Sequence, residues 1–267
     1  MSRTLLGVAG YPVGHSRSPA MHNAALAALG MNWLYVPLPI PPEHFGEATV
    51  ALERSGFRGI NVTVPHKVAA HDLADERSEA AQAIGAANTL TFGEGRIAAD
   101  NTDAGGFLDA LGEPPRDKRA LVLGAGGSAR AVVWALVQAG AAEVSVLNRT
   151  PDRAAALARE LGARHAERAE SGDLLVNCTS VGLGGRVAVE EAVVELGLEG
   201  IDPPATVVDL VYGEGATPVA TWATAAGSRV VDGREVLVRQ GARSLARWTG
   251  REAPIDVMRQ AVEASYQ

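Results

Sequence analysis

The chain has 267 residues, 47% of them hydrophobic and 21% charged, a composition typical of a globular protein with room for two domains. Its net charge is −7 and it has no dense basic run, so a nucleic-acid partner is not expected. Cys178 is the only cysteine, which excludes an internal disulfide and a cysteine-built metal site, and no metal is expected. The sequence shows no signal-peptide core and no membrane-length apolar run, which predicts a cytoplasmic protein without a membrane partner.

Strands and helices alternate along the first part of the chain. The pattern predicts strands at 4–9, 33–38, 59–64, 87–92 and 96–99, and helices at 19–29, 43–54, 66–73, 78–84 and 104–111. Ser18 is a candidate N-cap, Pro19 suits the first helical position, and Gly30 ends that helix. The Gly93-Glu94-Gly95 segment between the last two strands indicates a hairpin.

The middle of the chain contains the segment Ala120–Arg130, which reads ALVLGAGGSAR. A short apolar strand is followed by a glycine turn and a helix, the order that places a diphosphate on a helix N-terminus. In this G-x-G-x-x-A spacing, Gly124 permits the sharp turn, Gly126 lets the backbone approach the diphosphate, and Ala129 allows close helix–strand packing. A plain glycine turn is the alternative, and the strand and helix on either side favour a dinucleotide site.

The strand predicted at 143–147 indicates which dinucleotide binds. NAD-binding proteins usually place a carboxylate at the end of this strand, where it accepts hydrogen bonds from the adenosine ribose. Here the chain reads Asn148-Arg149-Thr150, and Arg153 follows. Guanidinium groups pair with a ribose 2′-phosphate, so NADP(H) is the predicted cofactor. The alternative is that both arginines are solvated charges at the start of a helix.

The remaining pattern predicts helices at 151–161, 218–226 and 235–248 and strands at 174–178, 206–210 and 229–231. The segment 182–205 receives no clear assignment. The predicted fold is therefore α/β with two domains and a cleft between them. An α/β substrate domain spans 1–103 and is completed by a C-terminal helix at 234–267. A Rossmann-type, doubly wound NADP-binding domain spans 104–233.

Polar side chains of the first domain cluster where strands end. Ser16 and Ser18 precede a helix, so two hydroxyls and helix N–H groups can hold a small carboxylate; a cap and a solvated loop residue are the alternative. A second group of polar residues follows later in the domain: Asn61, Thr63, Lys67, Asn88 and Asp103, with Asn61 and Thr63 on one face of a strand. This second group suits a polyhydroxylated substrate, although any of its members can be an ordinary turn or cap residue. His15 and His66 are interpreted as loop residues, not catalysts.

Seven motifs, in this order, resemble the shikimate dehydrogenase family from about Tyr11 to Gly250. They are HSRSP, NVTVPHK, AANTL, DNTD-x-x-G, GAGGSAR, NRT-x-x-R and QGA-x-x-x-x-x-WTG. The resemblance implies reversible NADPH-dependent reduction of 3-dehydroshikimate to shikimate, in the pathway to aromatic amino acids. It also implies a small-molecule substrate and a monomer or homodimer.

The resemblance assigns a role to each matching position. Ser16 and Ser18 bind the substrate carboxylate, and Lys67 with Asp103 forms the proton-transfer site. The substrate hydroxyls are assigned to Asn61, Thr63, Asn88, Asp103 and Gln240. The diphosphate is assigned to Gly124, Ala125, Gly126, Gly127 and Ser128, and the 2′-phosphate to Asn148, Arg149, Thr150 and Arg153. Tyr212 lies near the substrate, and Leu210 and Gly233 lie near the nicotinamide.

Three departures from the family pattern fall on the nicotinamide side. The segment Gly213–Ala216 lacks a proline, Val236 stands where methionine is common, and the chain after Gly182 lacks the usual proline-containing continuation.

The sequence leaves two other functions open. A quinate or broad polyol dehydrogenase would use the same scaffold, and a ligand-sensing module would bind without turnover. The presence of Lys67 and Asp103 favours an enzyme.

Overall fold

The computed structural model describes residues 3–183 and 187–264, and the chain forms two compact units. One unit contains Met1–Gly106 together with Leu237–Gln267, and the other contains Phe107–Val236. The division predicted from the sequence, after residues 103 and 233, lies close to both of these boundaries.

The first unit alternates strands and helices. Its elements are β1 Thr4–Gly10, α1 Ser18–Ala28, β2 Trp33–Pro39, α2 Phe45–Arg54, β3 Phe57–Val62, α3 Lys67–Leu73, β4 Glu76–Arg77, α4 Glu79–Ile84, β5 Thr89–Gly93, β6 Arg96–Asp100 and the start of α5 Thr102–Leu111. The described strands form a sheet in the order β2-β1-β3-β5-β6-β4, in which β5 runs antiparallel to both of its neighbours. The sequence did not predict β4, because a strand of two residues has no periodicity to detect.

The predicted hairpin between β5 and β6 is confirmed. Glu94 and Gly95 connect the strands with φ of 55° and 74°. Two successive residues in the left-handed region are typical of the tight turn that matches the twist of a hairpin.

The second unit has a doubly wound sheet. Its elements are β7 Arg119–Leu123, α6 Gly127–Gln138, β8 Glu143–Leu147, α7 Pro151–Leu161, β9 Arg164–His165, β10 Leu174–Asn177, α8 Val189–Glu195, β11 Thr206–Asp209, α9 Pro218–Ala225 and β12 Arg229–Asp232. The described strands are all parallel and lie in the order β12-β11-β10-β7-β8-β9. This order confirms the predicted Rossmann-type fold, in which ligands bind at the carboxyl ends of the strands where the winding reverses. Helix α8 lies in the segment that the sequence left without assignment.

Two helices end the described chain, α10 Gly233–Thr249 and α11 Ile255–Ala264. The prediction of one helix over 234–267 is therefore wrong, and residues 265–267 lie outside the described part. Gly250 has a φ of 66°, a left-handed conformation that ends a helix, and Pro254 immediately precedes α11. No helix within the described ranges is both long and apolar enough to cross a membrane.

The C-terminal helices complete the core of the first unit. Val238, Leu245 and Trp248 from α10 and Met258 and Val262 from α11 pack in one cluster. The same cluster contains buried side chains of β1 and α1, among them Leu6, Met21 and Leu26. A second cluster, with Phe45, Ile60 and Leu90, includes side chains of α2, β3 and β5. Residues from the far end of the sequence thus form part of the first core.

One polar side chain in this core is unusual. His22 is 0% exposed, its ring stacks on Tyr35 with centroids 4.3 Å apart, and neither ring nitrogen has a hydrogen-bond partner among the described residues. Burial lowers the pKa of His22 to about 3, and the nearby Asn61 amide opposes this shift. His22 is therefore neutral in the folded protein at ordinary pH.

This burial predicts a loss of stability in acid. Because the folded-state pKa lies below the ordinary 6.5, the contribution of neutral His22 is complete above pH 6.5 and is lost as the pH falls toward 3. Relative to His22→Phe, which keeps a stacked ring, the wild type should lose about 1.4 kcal/mol of unfolding free energy per pH unit over that range. Urea unfolding at several pH values measures the difference, and parallel pH dependences for the two proteins would contradict the expectation.

Candidate active site

Lys67 and Asp103 meet at one edge of the first sheet. Lys67 begins α3, which follows β3, and Asp103 lies in the first turn of α5, which follows β6. Both β3 and β6 run antiparallel to β5, so they point the same way and their carboxyl ends share an edge. The Lys67 Nζ lies 2.6 Å from Asp103 Oδ2, and Lys67 is 9% exposed. The two residues assigned to proton transfer are therefore in direct contact.

Asn88 lies at the same edge, immediately before β5. Its buried Nδ2 donates to Asp103 Oδ1 at 2.8 Å and to Gln240 Oε1 at 3.1 Å, and its Oδ1 accepts from the Thr102 N–H at 2.7 Å. The Asp103 carboxylate thus has an ammonium on one oxygen and an amide on the other. The fold brings together Lys67, Asn88, Asp103 and Gln240, as the resemblance implies.

Ser16 and Ser18 lie after the carboxyl end of β1, which is parallel to β3. The prediction that Ser18 is the N-cap of α1 is wrong, because Arg17 has that position and no side chain caps the helix. Ser18 is instead the first helical residue, and its backbone N–H donates to Ser16 Oγ at 3.3 Å. The two hydroxyls still lie at a helix N-terminus, where an anion is favoured.

Asn61 and Thr63 differ from their predicted arrangement. Strand β3 ends at Val62, because the His66 N–H donates to the Thr63 carbonyl and turns the chain. Asn61 is buried; its Oδ1 accepts from the Tyr35 hydroxyl at 2.8 Å and its Nδ2 donates to the Asn88 carbonyl at 3.1 Å. Both ends of its amide are bonded inside the protein. These contacts fit a role in holding Asn88, and the assignment of Asn61 to a substrate hydroxyl stays a prediction.

Sequence reasoning missed three hydroxyls that contact Asn88 or Asn61. They belong to Thr89, Thr102 and Ser244, and all three are buried. Thr89 and Thr102 lie within the AANTL and DNTD motifs, beside residues that were selected. Ser244 follows Gln240 by four positions in α10, a spacing that places both on one helix face and was the available signal.

The glycine loop of the second unit has the geometry of a phosphate site. Gly124 has a φ of 104°, and a Cβ there would lie 3.2 Å from the Cys178 backbone. Gly126 is the N-cap of α6, and a Cβ built on it would meet nothing within 4 Å. Ala129 is fully buried in the first turns of α6. The start of this 12-residue helix is therefore open beside Gly126, which fits a dinucleotide diphosphate.

The two arginines lie after β8. The Arg149 side chain is 88% exposed, and its nearest acidic partner, Glu195, is 4.0 Å away. Arg153 is exposed in the first turn of α7. Thr150 is the N-cap of α7 as predicted but makes no side-chain cap bond, while Asn148 Nδ2 donates to the Thr150 carbonyl at 3.0 Å. Two accessible guanidinium groups at this strand end fit a 2′-phosphate.

Leu210, Tyr212 and Gly233 lie after the ends of β11 and β12. A Cβ on Gly233 would lie 2.7 Å from the Leu210 carbonyl oxygen, so only glycine permits this close approach.

Asp209 was not among the site residues predicted from the sequence; it accepts hydrogen bonds from Asn177 and Thr217. Burial raises the pKa of Asp209 to about 6. Within the described ranges, no group of three or more His, Cys, Asp or Glu side chains is placed to hold a metal ion.

The second unit has a doubly wound sheet with a glycine loop and two accessible arginines after β8, and the first unit carries a lysine–carboxylate pair. Together these features define the class of NADP-dependent dehydrogenases. Three family descriptions match the chain. Residues 8–90 match the shikimate dehydrogenase substrate binding domain, 110–180 match shikimate / quinate 5-dehydrogenase, and 233–263 match the shikimate 5'-dehydrogenase C-terminal domain.

Individual relatives and solved structures are also similar to the chain over nearly its whole length. Shikimate dehydrogenase (NADP(+)) of Anaeromyxobacter sp. (strain K) is 44% identical, covering 97% of this chain and 96% of its own. The crystal structure of shikimate 5-dehydrogenase from Thermus thermophilus with NADP(H) and shikimate is 42% identical, with a TM-score of 0.85 and coverage of 98% and 99%. Ligand-free 5-ketofructose reductase of Gluconobacter sp. strain CHM43 is 30% identical, with a TM-score of 0.84 and coverage of 99% of both chains. The chain belongs to the shikimate dehydrogenase family, which confirms the resemblance.

Proposed function

We propose that the protein catalyses the reversible NADPH-dependent reduction of 3-dehydroshikimate to shikimate in aromatic amino acid biosynthesis. The observation that carries this proposal is the 2.6 Å contact between Lys67 Nζ and Asp103 Oδ2, with Asn88 on the second carboxylate oxygen. An acid–base group with this support, at an edge rich in hydroxyls and amides, suits a polyhydroxylated ketone.

Ketone reduction adds a hydride to the carbonyl carbon and a proton to its oxygen. The bound NADPH supplies the hydride. Lys67 Nζ holds the proton that the developing alkoxide receives, and Asp103 keeps the ammonium in place. In alcohol oxidation the Lys67 amine accepts the hydroxyl proton.

Substrate binding uses the helix start and the polar edge. Ser16, Ser18 and the first N–H groups of α1 bind the carboxylate, since this helix N-terminus carries partial positive charge. The ring hydroxyls bind Thr63, Asn88, Asp103 and Gln240, with Tyr212 near the substrate. Asn61, which the resemblance assigns to the same hydroxyls, also holds the Asn88 carbonyl.

The residues that would hold NADP(H) belong to the second unit. Backbone groups of Gly124, Ala125, Gly126, Gly127 and Ser128 bind the diphosphate. The 2′-phosphate contacts Asn148, Arg149, Thr150 and Arg153, and the nicotinamide end lies near Leu210 and Gly233. The open space at Gly126 and the exposure of Arg149 support this assignment.

Cofactor choice gives a direct test. We expect NADP to be preferred over NAD by at least tenfold in kcat/KM, or about 1.4 kcal/mol, because Arg149 and Arg153 replace the ribose-binding carboxylate. Arg149→Asp should remove most of this preference. Arg159→Asp makes the same charge change in the last turn of α7 and should leave it intact. Equal use of both cofactors by the wild type would refute the assignment.

Steady-state kinetics with shikimate and quinate, each with NADP and NAD, test the proposed reaction. Shikimate with NADP should have the highest kcat/KM. A second candidate, a quinate or broad polyol dehydrogenase, is favoured by the family described as shikimate / quinate 5-dehydrogenase that matches 110–180, and it predicts comparable values for quinate. Binding without turnover would instead indicate a ligand-sensing module.

The proposal has two further parts. We infer that the protein works in the cytoplasm, where a biosynthetic reaction has access to NADPH and small diffusible metabolites. The partners of the reaction are substrate and cofactor, and we infer that the protein is a monomer or homodimer. Sedimentation equilibrium would distinguish the two.

A further inference from the structure

A cluster of three buried hydroxyls lies beside Asn88. Thr89 Oγ1 is 2.8 Å from Ser244 Oγ, Thr102 Oγ1 is 3.0 Å from Ser244 Oγ, and the two threonine oxygens are 3.3 Å apart. Ser244 is 0% exposed and comes from α10, whereas the threonines come from β5 and α5. The hydroxyl cluster therefore joins a C-terminal helix to the elements that carry Asn88 and Asp103.

Ser244 uses its full hydrogen-bonding capacity. Its hydroxyl donates to the Gln240 carbonyl at 3.1 Å, and its oxygen accepts from Asn61 Nδ2 at 2.9 Å. A serine oxygen has two lone pairs, so one acceptor position remains. A threonine hydroxyl of the cluster fills that position.

Counting the hydrogen bonds to the Asn88 side-chain oxygen in the same way shows what Ser244 contributes. Asn88 Oδ1 accepts at most two hydrogen bonds, and the Thr102 N–H takes one at 2.7 Å. The hydroxyls of Thr89 and Thr102 lie 3.1 and 3.2 Å from the same oxygen and compete for the other position. Thr102 Oγ1 also lies 2.9 Å from Asn88 Nδ2, from which it can accept. When Ser244 Oγ accepts from the Thr102 hydroxyl, the Thr89 hydroxyl and Asn88 Oδ1 pair without competition.

This arrangement fixes the direction of the Asn88 amide. With Oδ1 held by donors, Nδ2 faces three acceptors: Asp103 Oδ1 at 2.8 Å, Thr102 Oγ1 at 2.9 Å and Gln240 Oε1 at 3.1 Å. The flipped amide would place its oxygen against the Asp103 carboxylate and its NH₂ against the Thr102 N–H, and both contacts are repulsive. The Asp103 carboxylate and the Thr102 N–H thus select the orientation, and the hydroxyl cluster supplies the further donor to Oδ1 that holds the amide in it.

We propose that Ser244 is a positioning residue for the reaction: it completes the hydroxyl cluster that holds the Asn88 amide toward Asp103. This inference rests on the proposed function. Ser244 acts through Asn88, so its removal should impair both shikimate binding and turnover while leaving the NADP site unchanged.

The first experiment compares Ser244→Ala with Thr249→Val. Both changes remove a hydroxyl that bonds the carbonyl four residues earlier in α10, but the Thr249 hydroxyl bonds Leu245 and lies outside the cluster. Ser244→Ala should lower kcat/KM for shikimate about tenfold, the equivalent of one lost buried hydrogen bond. It should also raise the shikimate Kd measured by calorimetry without cofactor. The KM for NADP and all Thr249→Val values should remain near wild type.

A double-mutant cycle with Asn88→Ala tests the route of the effect. If Ser244 acts through Asn88, Ser244→Ala should cause little further loss of kcat/KM in the Asn88→Ala background. Ser244→Cys, which keeps a small side chain with a weak donor, should fall between serine and alanine and covers the case of a poorly folded alanine variant.

The outcomes separate this inference from the proposed function. If the wild type turns over shikimate and Ser244→Ala is equally active and binds shikimate equally well, the positioning role alone is overturned. The same tenfold loss in both backgrounds would also overturn it. Wild type that does not oxidise shikimate with NADP would refute the proposed function and, with it, this inference.

Discussion

Lys67→Ala should lower kcat by roughly 10²–10⁴-fold, the usual contribution of a positioned acid or base. The KM for shikimate should change far less, because Ser16, Ser18 and Asn88 do not depend on the lysine for their places. The matched control is Lys118→Ala, since Lys118 forms a 2.7 Å ion pair with Glu113 in the second unit. That variant should keep near-normal kinetics. Steady-state assays in both directions measure the effect.

Lys67→Arg separates proton transfer from simple charge pairing. Arginine keeps a positive charge for Asp103 but is effectively never deprotonated in a protein. Shikimate oxidation should therefore remain severely impaired. Near-normal oxidation by Lys67→Arg would rule out Lys67 as the base.

A purely structural role for the pair makes a different prediction for Lys67→Met. If Lys67 only ordered the site through Asp103, methionine would lower the melting temperature and weaken shikimate binding together. Under the proposed mechanism, turnover falls while shikimate binding changes little. Thermal denaturation and calorimetry on the same variant distinguish the two results.

Gly106→Ala should destabilise the first unit by about 1–3 kcal/mol or more, the cost of overpacking a rigid contact. A Cβ at Gly106 would lie 2.5 Å from the backbone nitrogen of Gln240 and 2.6 Å from its Cα. Because backbone cannot rotate away, α10 must shift, and Gln240 shifts with it. We therefore expect a lower unfolding free energy in urea and a higher KM for shikimate.

Gly105→Ala is the matched control in the same helix. A Cβ there would also make a 2.6 Å contact, but with the guanidinium end of Arg243, which can move aside. Alanine is intrinsically better than glycine in a helix by roughly 0.5–1 kcal/mol, so this variant should be near neutral or slightly more stable. Equal destabilisation by the two variants would contradict the close approach of α5 and α10 at Gly106.

Local patterns identified much of the candidate site. The strand, glycine turn and helix around Gly124 form one continuous stretch, so their geometry follows from neighbouring residues. The same holds for Arg149, which immediately follows Asn148 at the end of β8. Lys67, Asn88 and Asp103 were selected from separate motifs, and their contact follows from strand direction, which places the ends of β3 and β6 at one edge.

The start of α1 shows where local patterns mislead. The residues Ser18-Pro19 indicate a capped helix, but the helix begins one residue earlier and Ser16 Oγ accepts the Ser18 N–H. The C-terminal region shows a related error, because one helix was predicted over 234–267 where the structure has α10 and α11. A left-handed Gly250 separates them.

By itself the sequence determined the class of fold, the NADP preference expected from Arg149 and Arg153, and the residues of the lysine–aspartate pair, because each depends on short spacing or on a motif. Only the tertiary structure decided that Asn61 supports Asn88 and that Ser244 completes the hydroxyl cluster. Asn61 and Ser244 are 183 positions apart in the chain and bond at 2.9 Å. Helix and strand periodicity relates a residue to neighbours within a few positions, whereas the partner of a buried amide is set by how distant elements pack.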